Sequence, residues 1–426
     1  MKVGVIIPWL VILLVAVGLP VLGALEPAAK AKQSTTKPVE AGGETKKLVS
    51  MQMEMTGKYA LGWAGLVGGQ GRQFQEQVDG QVEDDVGRVA AAVMAAELLG
   101  KEEGVRRLSE LGGDDAAALR ARIGEGVALE AGVVERYGFF GRVAASYGLP
   151  ETDAGRAAVL ASAKRTAVGL VGMLMVMGVA VLAGVVLLIV AIVMLATGGI
   201  RLEMAQPSGR HALYVQGFAL YLATFVFGGI VLSLLPGELP FVANVIPLFL
   251  AVGLGVSYPL LRGAEFGEMR QDWGLTWGKN PLVEVLCGFG GYLAGLPLLV
   301  LGMVITLLLS KWSGTVVSHP ITEEFERNKL AIFLLAVVFA PITEEILFRG
   351  GFLSHCRSFA GPVVSGLIVG VIFAAIHPQG WAGIPMLTSI GFVMAMIRAW
   401  RVSIVGSVVA HAINNGFVTC LLLLMV

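Results

Sequence analysis

From about residue 166 to Val426 the chain alternates long apolar stretches with short polar joins. The stretches fall near 167–197, 212–235, 240–261, 282–309, 330–356, 362–377, 381–397 and 403–425. A helix rises ~1.5 Å per residue, so roughly 20 apolar residues cross ~30 Å of hydrocarbon. Inside lipid only helices and closed barrels satisfy every backbone N–H and C=O, and runs this long are helical ones. Hydrophobic residues make up 56% of the 426 and charged residues 15%, whereas soluble domains carry about 25% charge. The expected fold is all-α: a polytopic transmembrane helical bundle of about 8 core spans, with a small soluble helical domain.

That soluble part comes early. Lys2 and the apolar run Val3–Leu22 make residues 1–24 a signal peptide or an N-terminal membrane anchor. The run is long for a signal core of about 7–15 residues, yet Gly23 and Ala24 suit cleavage. Residues 25–47, rich in Ala, Lys, Thr and Pro, read as a linker. Residues 48–165 read as soluble and helical, with Val82, Val86, Val89 and Val93 at helical spacing. Asp114 and Asp115 are placed to cap a helix through Ala116–Arg136, after the Gly112-Gly113 break. Two charge clusters, Glu83-Asp84-Asp85 and Lys101-Glu102-Glu103, read as solvated helix faces. This region is also the expected place for a protein partner or a lid. Residues 166–280 then supply accessory membrane helices, and 281–426 a core in which Gly291/Gly295 and Gly366/Gly370 allow close helix approach.

Several classes are excluded. A net charge of zero gives no footprint for nucleic acid. Cys287, Cys356 and Cys420 are scattered, without CxxC spacing, which rules out a disulfide framework and a thiolate zinc site. No internal repeat of the transporter kind is evident. HExxH, GxGD and GxSG are all absent. Alternation of the spans puts the joins near 198–211, 262–280, 349–361 and 398–402 on one side with Lys2. They are richer in Lys and Arg than the opposite short joins, which leans that side to the cytoplasm. The flanks of the long segment (Lys30, Lys32, Lys37, Arg156, Lys164, Arg165) nearly balance the count and leave the orientation open.

Charges within apolar helices are costly, about 2.5–3.5 kcal/mol each at mid-bilayer, and mark function. Ala340–Gly350 holds Glu344, Glu345 and Arg349. Glu345 and Arg349 are four apart and able to pair, while Glu344 points about 100° away. Phe373 and His377 share a helix face, as do His411 and Asn415. Taking the surface near Arg357–Gly361, the helical rise puts Glu344, His377 and His411 roughly 18, 22 and 12 Å deep, so all three meet near mid-bilayer. Pro378 ends its helix at His377 and leaves a loop lining a polar chamber. His211, His319 and His355, at span ends or in loops, read as interfacial polar residues. In that chamber Glu344 with His377 would hold and deprotonate a water, and His411 and Asn415 would donate to an oxyanion. Glu344, His377 and His411 equally suit a divalent metal such as zinc. A buried polar network that only braces the bundle is the plain structural alternative.

The ordered trio resembles the CPBP family: CAAX prenyl proteases of the glutamate-dependent membrane type, with their bacteriocin-processing and Abi relatives. EExxxR corresponds to Glu344, Glu345 and Arg349, FxxxH to Phe373 and His377, and HxxxN to His411 and Asn415. The resemblance covers roughly 281–426. It implies an intramembrane endopeptidase, often described as a metalloprotease, that cuts a peptide or membrane-protein substrate near a membrane-embedded or C-terminal end. The leader-like N-terminus and composition look bacterial, which points to a multi-pass protein of the bacterial inner membrane. Prenylated substrates are not expected there, so peptide maturation or bacteriocin self-immunity fits better than strict CAAX processing. The alternatives are a non-catalytic bacteriocin-immunity or scaffold membrane protein, and a proton-coupled transporter.

Overall fold

The computed structural model describes residues 3–33, 49, 51–82, 84–202, 204, 207, 209–235, 241–314 and 329–425. Glu83, His319 and residues 34–47 of the expected linker lie outside these. The described residues are helical, with no strand among them. They form two compact units: Met1–Lys37 with Gly178–Thr419, and Pro38–Met177 with Cys420–Val426. The chain passes between them inside one continuous helix, Ala154–Ala196 (α8), so no break occurs at residue 165.

The smaller unit contains α2 (Met51–Val67), α3 (Gly71–Asp79), α4 (Asp85–Leu98), α5 (Lys101–Ser109), α6 (Asp114–Glu125), α7 (Ala131–Ala145) and the start of α8. Its core gathers Phe74, Val89, Val93, Leu119, Phe139 and Phe140, with Val82 and Val86 packed against them. Asp84 starts α4 by accepting the Gly87 N–H at 2.7 Å. On α5, hydrogen bonds from Arg106 and then Arg107 hold the Glu103 carboxyl down at about 2, far below its usual range. The helix expected through Ala116–Arg136 is two helices. Gly126, at φ +79, ends α6 in a left-handed cap, which glycine adopts without strain. Asp115 pairs with Arg136 instead of capping.

The larger unit holds α1 (Val3–Gln33), the rest of α8, α9 (His211–Ser233), α10 (Phe241–Leu261), α11 (Phe266–Asp272) and α12 (Pro281–Ser313). Four further helices follow. They are the glutamate helix (Lys329–Cys356), the first histidine helix (Pro362–Ala375, with His377 just past its end), a crossing helix (Ile384–Arg401) and the second histidine helix (Val405–Met425), which belongs to this unit as far as Thr419. Among the described residues, seven helices are long and apolar enough to cross a membrane, which makes this an integral multi-pass membrane protein. Two expected spans are shorter. Val245–Leu261 belongs to a helix carrying Pro247 and Pro259, and Pro362–Ala375 is only 14 residues. At ~1.5 Å per residue the latter reaches about 21 Å, short of a full crossing. The first helix runs on to Gln33, so residues 25–33 of the expected linker are helical.

Both glycine pairs lie in helix interfaces. A Cβ on Gly291 or Gly295 would fall 2.7 Å from Ile397 or 2.4 Å from Val393 of the crossing helix. A Cβ on Gly370 would come 2.9 Å from the Thr388 carbonyl oxygen, a backbone atom that cannot step aside. Gly370→Leu is therefore expected to lower stability by about 2–3 kcal/mol through overpacking, read as a fall in melting temperature in detergent.

At one end of this unit the four joins grouped from sequence converge. Ser354 Oγ and Arg398 Nη2 donate to the Asp272 carbonyl at 2.6 and 3.0 Å. Ser403 Oγ donates to Thr276 O at 2.6 Å, and Arg357 Nη2 to Met204 O at 3.3 Å. Trp273 is wedged against Gly350 and Gly351, where a Cβ would lie 3.2 and 3.1 Å from its side chain. His355 departs from expectation. It is buried, 2% exposed, and accepts the Trp9 indole N–H of α1 at 3.1 Å, while its Nδ1 sits 3.3 Å from Nδ1 of His211. The N-terminal helix covers it, which no local pattern around residue 355 reveals.

Candidate active site

The glutamate helix is not uniformly α. Wider π-turns occupy Leu335–Phe339 and Ile346–Phe352, on either side of the α-turns Ala340–Glu345. Such widenings are rare and cluster at functional sites. In the first, the Ala340 N–H bonds to Leu335 O rather than to Ala336 O. The next residue is Pro341, which has no N–H to give. The Ala336 carbonyl is thus left without a helical donor. Asn415 supplies one from the second histidine helix, Nδ2 to O at 2.8 Å.

The two glutamates part as expected. Glu345 is fully buried, and its Oε1 accepts Arg349 Nη1 and His411 Nδ1, each at 2.9 Å. Arg349, equally buried, also donates to the Gly391 carbonyl of the crossing helix at 3.1 Å and rests its guanidinium 4.7 Å over the Phe373 ring. Glu344 turns the other way, with a side chain 20% exposed. Its Oε2 lies 3.9 Å from His377 Nε2 and 3.8 Å from His411 Nε2. Among the described residues no group donates to that oxygen.

Each histidine is oriented from behind. His411 Nδ1 faces a carboxylate, and His377 Nδ1 faces the Phe373 carbonyl at 2.5 Å. Both partners are acceptors, so the network assigns the hydrogen to Nδ1 in each ring and leaves Nε2 a lone pair. Phe373 fixes the ring planes, 4.2 Å from His377 between centroids and edge-on to His411 at 6.0 Å. Three lone-pair-bearing atoms therefore face one another: Glu344 Oε2, His377 Nε2 and His411 Nε2.

Zinc bonds of 2.0–2.1 Å would set tetrahedral ligands about 3.3–3.4 Å apart, closer than the separations here. Among the described residues no group of three or more His, Cys, Asp or Glu is arranged to hold an ion. The set as it stands does not fit a metal. A water at ~2.8 Å from two acceptors 3.8–3.9 Å apart matches ordinary hydrogen-bond lengths.

The structure thus gathers Glu344, Glu345, Arg349, Phe373, His377 and His411 around one point. Asn415 is nearby but turned to the Ala336 carbonyl, so its amide is engaged in bracing rather than aimed at an oxyanion. Sequence reasoning passed over Asn414 and Tyr292. Asn414 Nδ2 donates to Asn415 Oδ1 at 3.2 Å, and Tyr292 OH to Asn414 Oδ1 at 3.3 Å. The signal for Tyr292 was a tyrosine in the glycine-rich apolar stretch of its helix.

Three apolar helices of a polytopic helical protein thus bring a glutamate pair against two histidines. Residues 326–417, which contain all three motifs, match the family model described as "Type II CAAX prenyl endopeptidase Rce1-like", so this part of the chain is similar to that protease family. Neither the curated proteins nor the solved structures include a match.

Proposed function

We propose that the protein is an intramembrane endopeptidase in which Glu344 is the general base for a water held also by His377 or His411. The observation that carries this reading is Glu344 Oε2: a carboxylate oxygen with no donor among the described residues, set 3.8–3.9 Å from two back-locked imidazole nitrogens. Glu344 takes a proton from the water, whose oxygen bonds to the scissile carbonyl carbon. The C–N bond breaks as the departing amine receives that proton. The imidazole that held the water keeps accepting the hydrogen that remains on the attacking oxygen, which holds that oxygen over the carbonyl carbon. The substrate class is a lipid-anchored or membrane-embedded peptide cut near its C-terminal end, in a bacterial inner membrane. Zinc has no assigned step.

The test is cleavage, followed by mass spectrometry, of a reporter peptide ending in a C-terminal CAAX sequence, farnesylated or left bare, by the full chain in vesicles. Cleavage that persists after chelation and is lost in His377→Ala is the expected result. Loss on chelation with recovery on zinc addition would refute the metal-free step.

A further inference from the structure

Tyr292 belongs to α12, outside the segment that matches the protease family. It is 7% exposed, and its hydroxyl begins a chain of hydrogen bonds through Asn414 and Asn415 to the Ala336 carbonyl. The direction of that chain is fixed from its far end. A carbonyl only accepts, so Asn415 must turn its Nδ2 to Ala336. Its Oδ1 then faces Asn414 and must be given a hydrogen, which only Nδ2 of Asn414 can supply. Asn414 Oδ1 is left facing Tyr292, and of the two only the hydroxyl donates.

We propose that Tyr292 is a positioning residue for the candidate active site, acting through Asn414 and Asn415 on the π-turn that precedes Glu344. Three helices are tied by this relay: α12, the second histidine helix and the glutamate helix. It grips the glutamate helix at the Ala336 carbonyl, which Pro341 leaves without a backbone donor, eight residues before Glu344. It leaves the second histidine helix at Asn415, one turn beyond His411. Slackening the relay changes the separation between Glu344 and His411 rather than removing either group. A shift of about 1 Å in such a pair costs up to a hundredfold in rate.

The inference rests on the reading of Glu344 as base, and the experiment separates the two. The full chain in vesicles is given the farnesylated CAAX reporter, and kcat and KM are measured apart. Tyr292→Phe is expected to lower kcat about five- to tenfold, the worth of one hydrogen bond, with KM held within about twofold. Asn414→Asp turns an acceptor toward Asn415 Oδ1 and is expected to lower kcat further. Adding Tyr292→Phe to Asn415→Ala is expected to lower kcat no more than Asn415→Ala alone, because both cut one relay. An unchanged kcat in Tyr292→Phe, with Glu344→Gln inactive, overturns the relay and leaves the base standing. Full additivity with Asn415→Ala also overturns it. Wild-type cleavage by Glu344→Gln removes the base itself, and the relay's role with it.

Discussion

Glu344→Gln is expected to reduce cleavage of the reporter by about a thousandfold, within the range that general acid–base groups contribute, while leaving the protein folded. The second half of that expectation comes from the site. Glutamine keeps the shape of Glu344 and presents an N–H₂ to His377 Nε2 and His411 Nε2, which stand as lone pairs 3.9 and 3.8 Å from the carboxylate. The substitution thus deletes the base and the charge without adding volume, and at these separations any hydrogen bond to either nitrogen passes through a water. Melting temperature is expected to stay the same or rise, with kcat lost. A fall in stability parallel to the fall in cleavage would mean that Glu344 braces the bundle, as in the purely structural alternative. Unaltered cleavage would remove Glu344 from the chemistry.

The chemistry-bearing positions were readable before any coordinates because they rest on local geometry. Glu345 and Arg349, and His411 and Asn415, are each four apart on one helix, and four residues bring a helix face round to itself. The helix carrying Phe373 ends at Ala375 instead, and His377 falls in the bend just past it rather than on the helix face expected to run up to Pro378. Rise per residue then placed the three motifs at a common depth. The partners of these residues were not readable. In a helix that is apolar all round, composition does not distinguish the face toward lipid from the face toward protein. Which hydroxyl meets Asn414, or which indole covers His355, is set by close approaches such as Gly291 on Ile397, and these depend on the whole bundle. The π-turns were hidden as well. Pro341 announces a missing N–H, but only the second histidine helix shows that Asn415 answers the carbonyl it strands. In the smaller unit Gly126 was misjudged because the apolar spacing continues across it; a glycine at φ +79 ends the helix where the spacing does not.

Arg349→Met is expected to destabilise the protein by about 3–5 kcal/mol, the cost of leaving a buried charge without its partner. Methionine roughly replaces the aliphatic bulk of arginine, so the loss is electrostatic rather than a cavity. Glu345, fully buried, would keep His411 Nδ1 at 2.9 Å but lose its cationic partner, and the Gly391 carbonyl would lose its Arg349 donor. The double variant Glu345→Leu with Arg349→Met tests the source of this effect. Removing both charges from an apolar site is often neutral, so the double variant is expected to recover most of the lost melting temperature. It should not recover cleavage. Without Glu345 nothing holds the hydrogen on His411 Nδ1, and the ring is free to present an N–H instead of a lone pair to the water beside Glu344. A variant that melts like the wild type and cleaves poorly separates two duties of the same carboxylate. It stabilises the bundle through Arg349 and orients the histidine through His411. If stability and cleavage return together, Glu345 serves the fold alone, and the orientation of His411 must come from the edge of Phe373, 6.0 Å away.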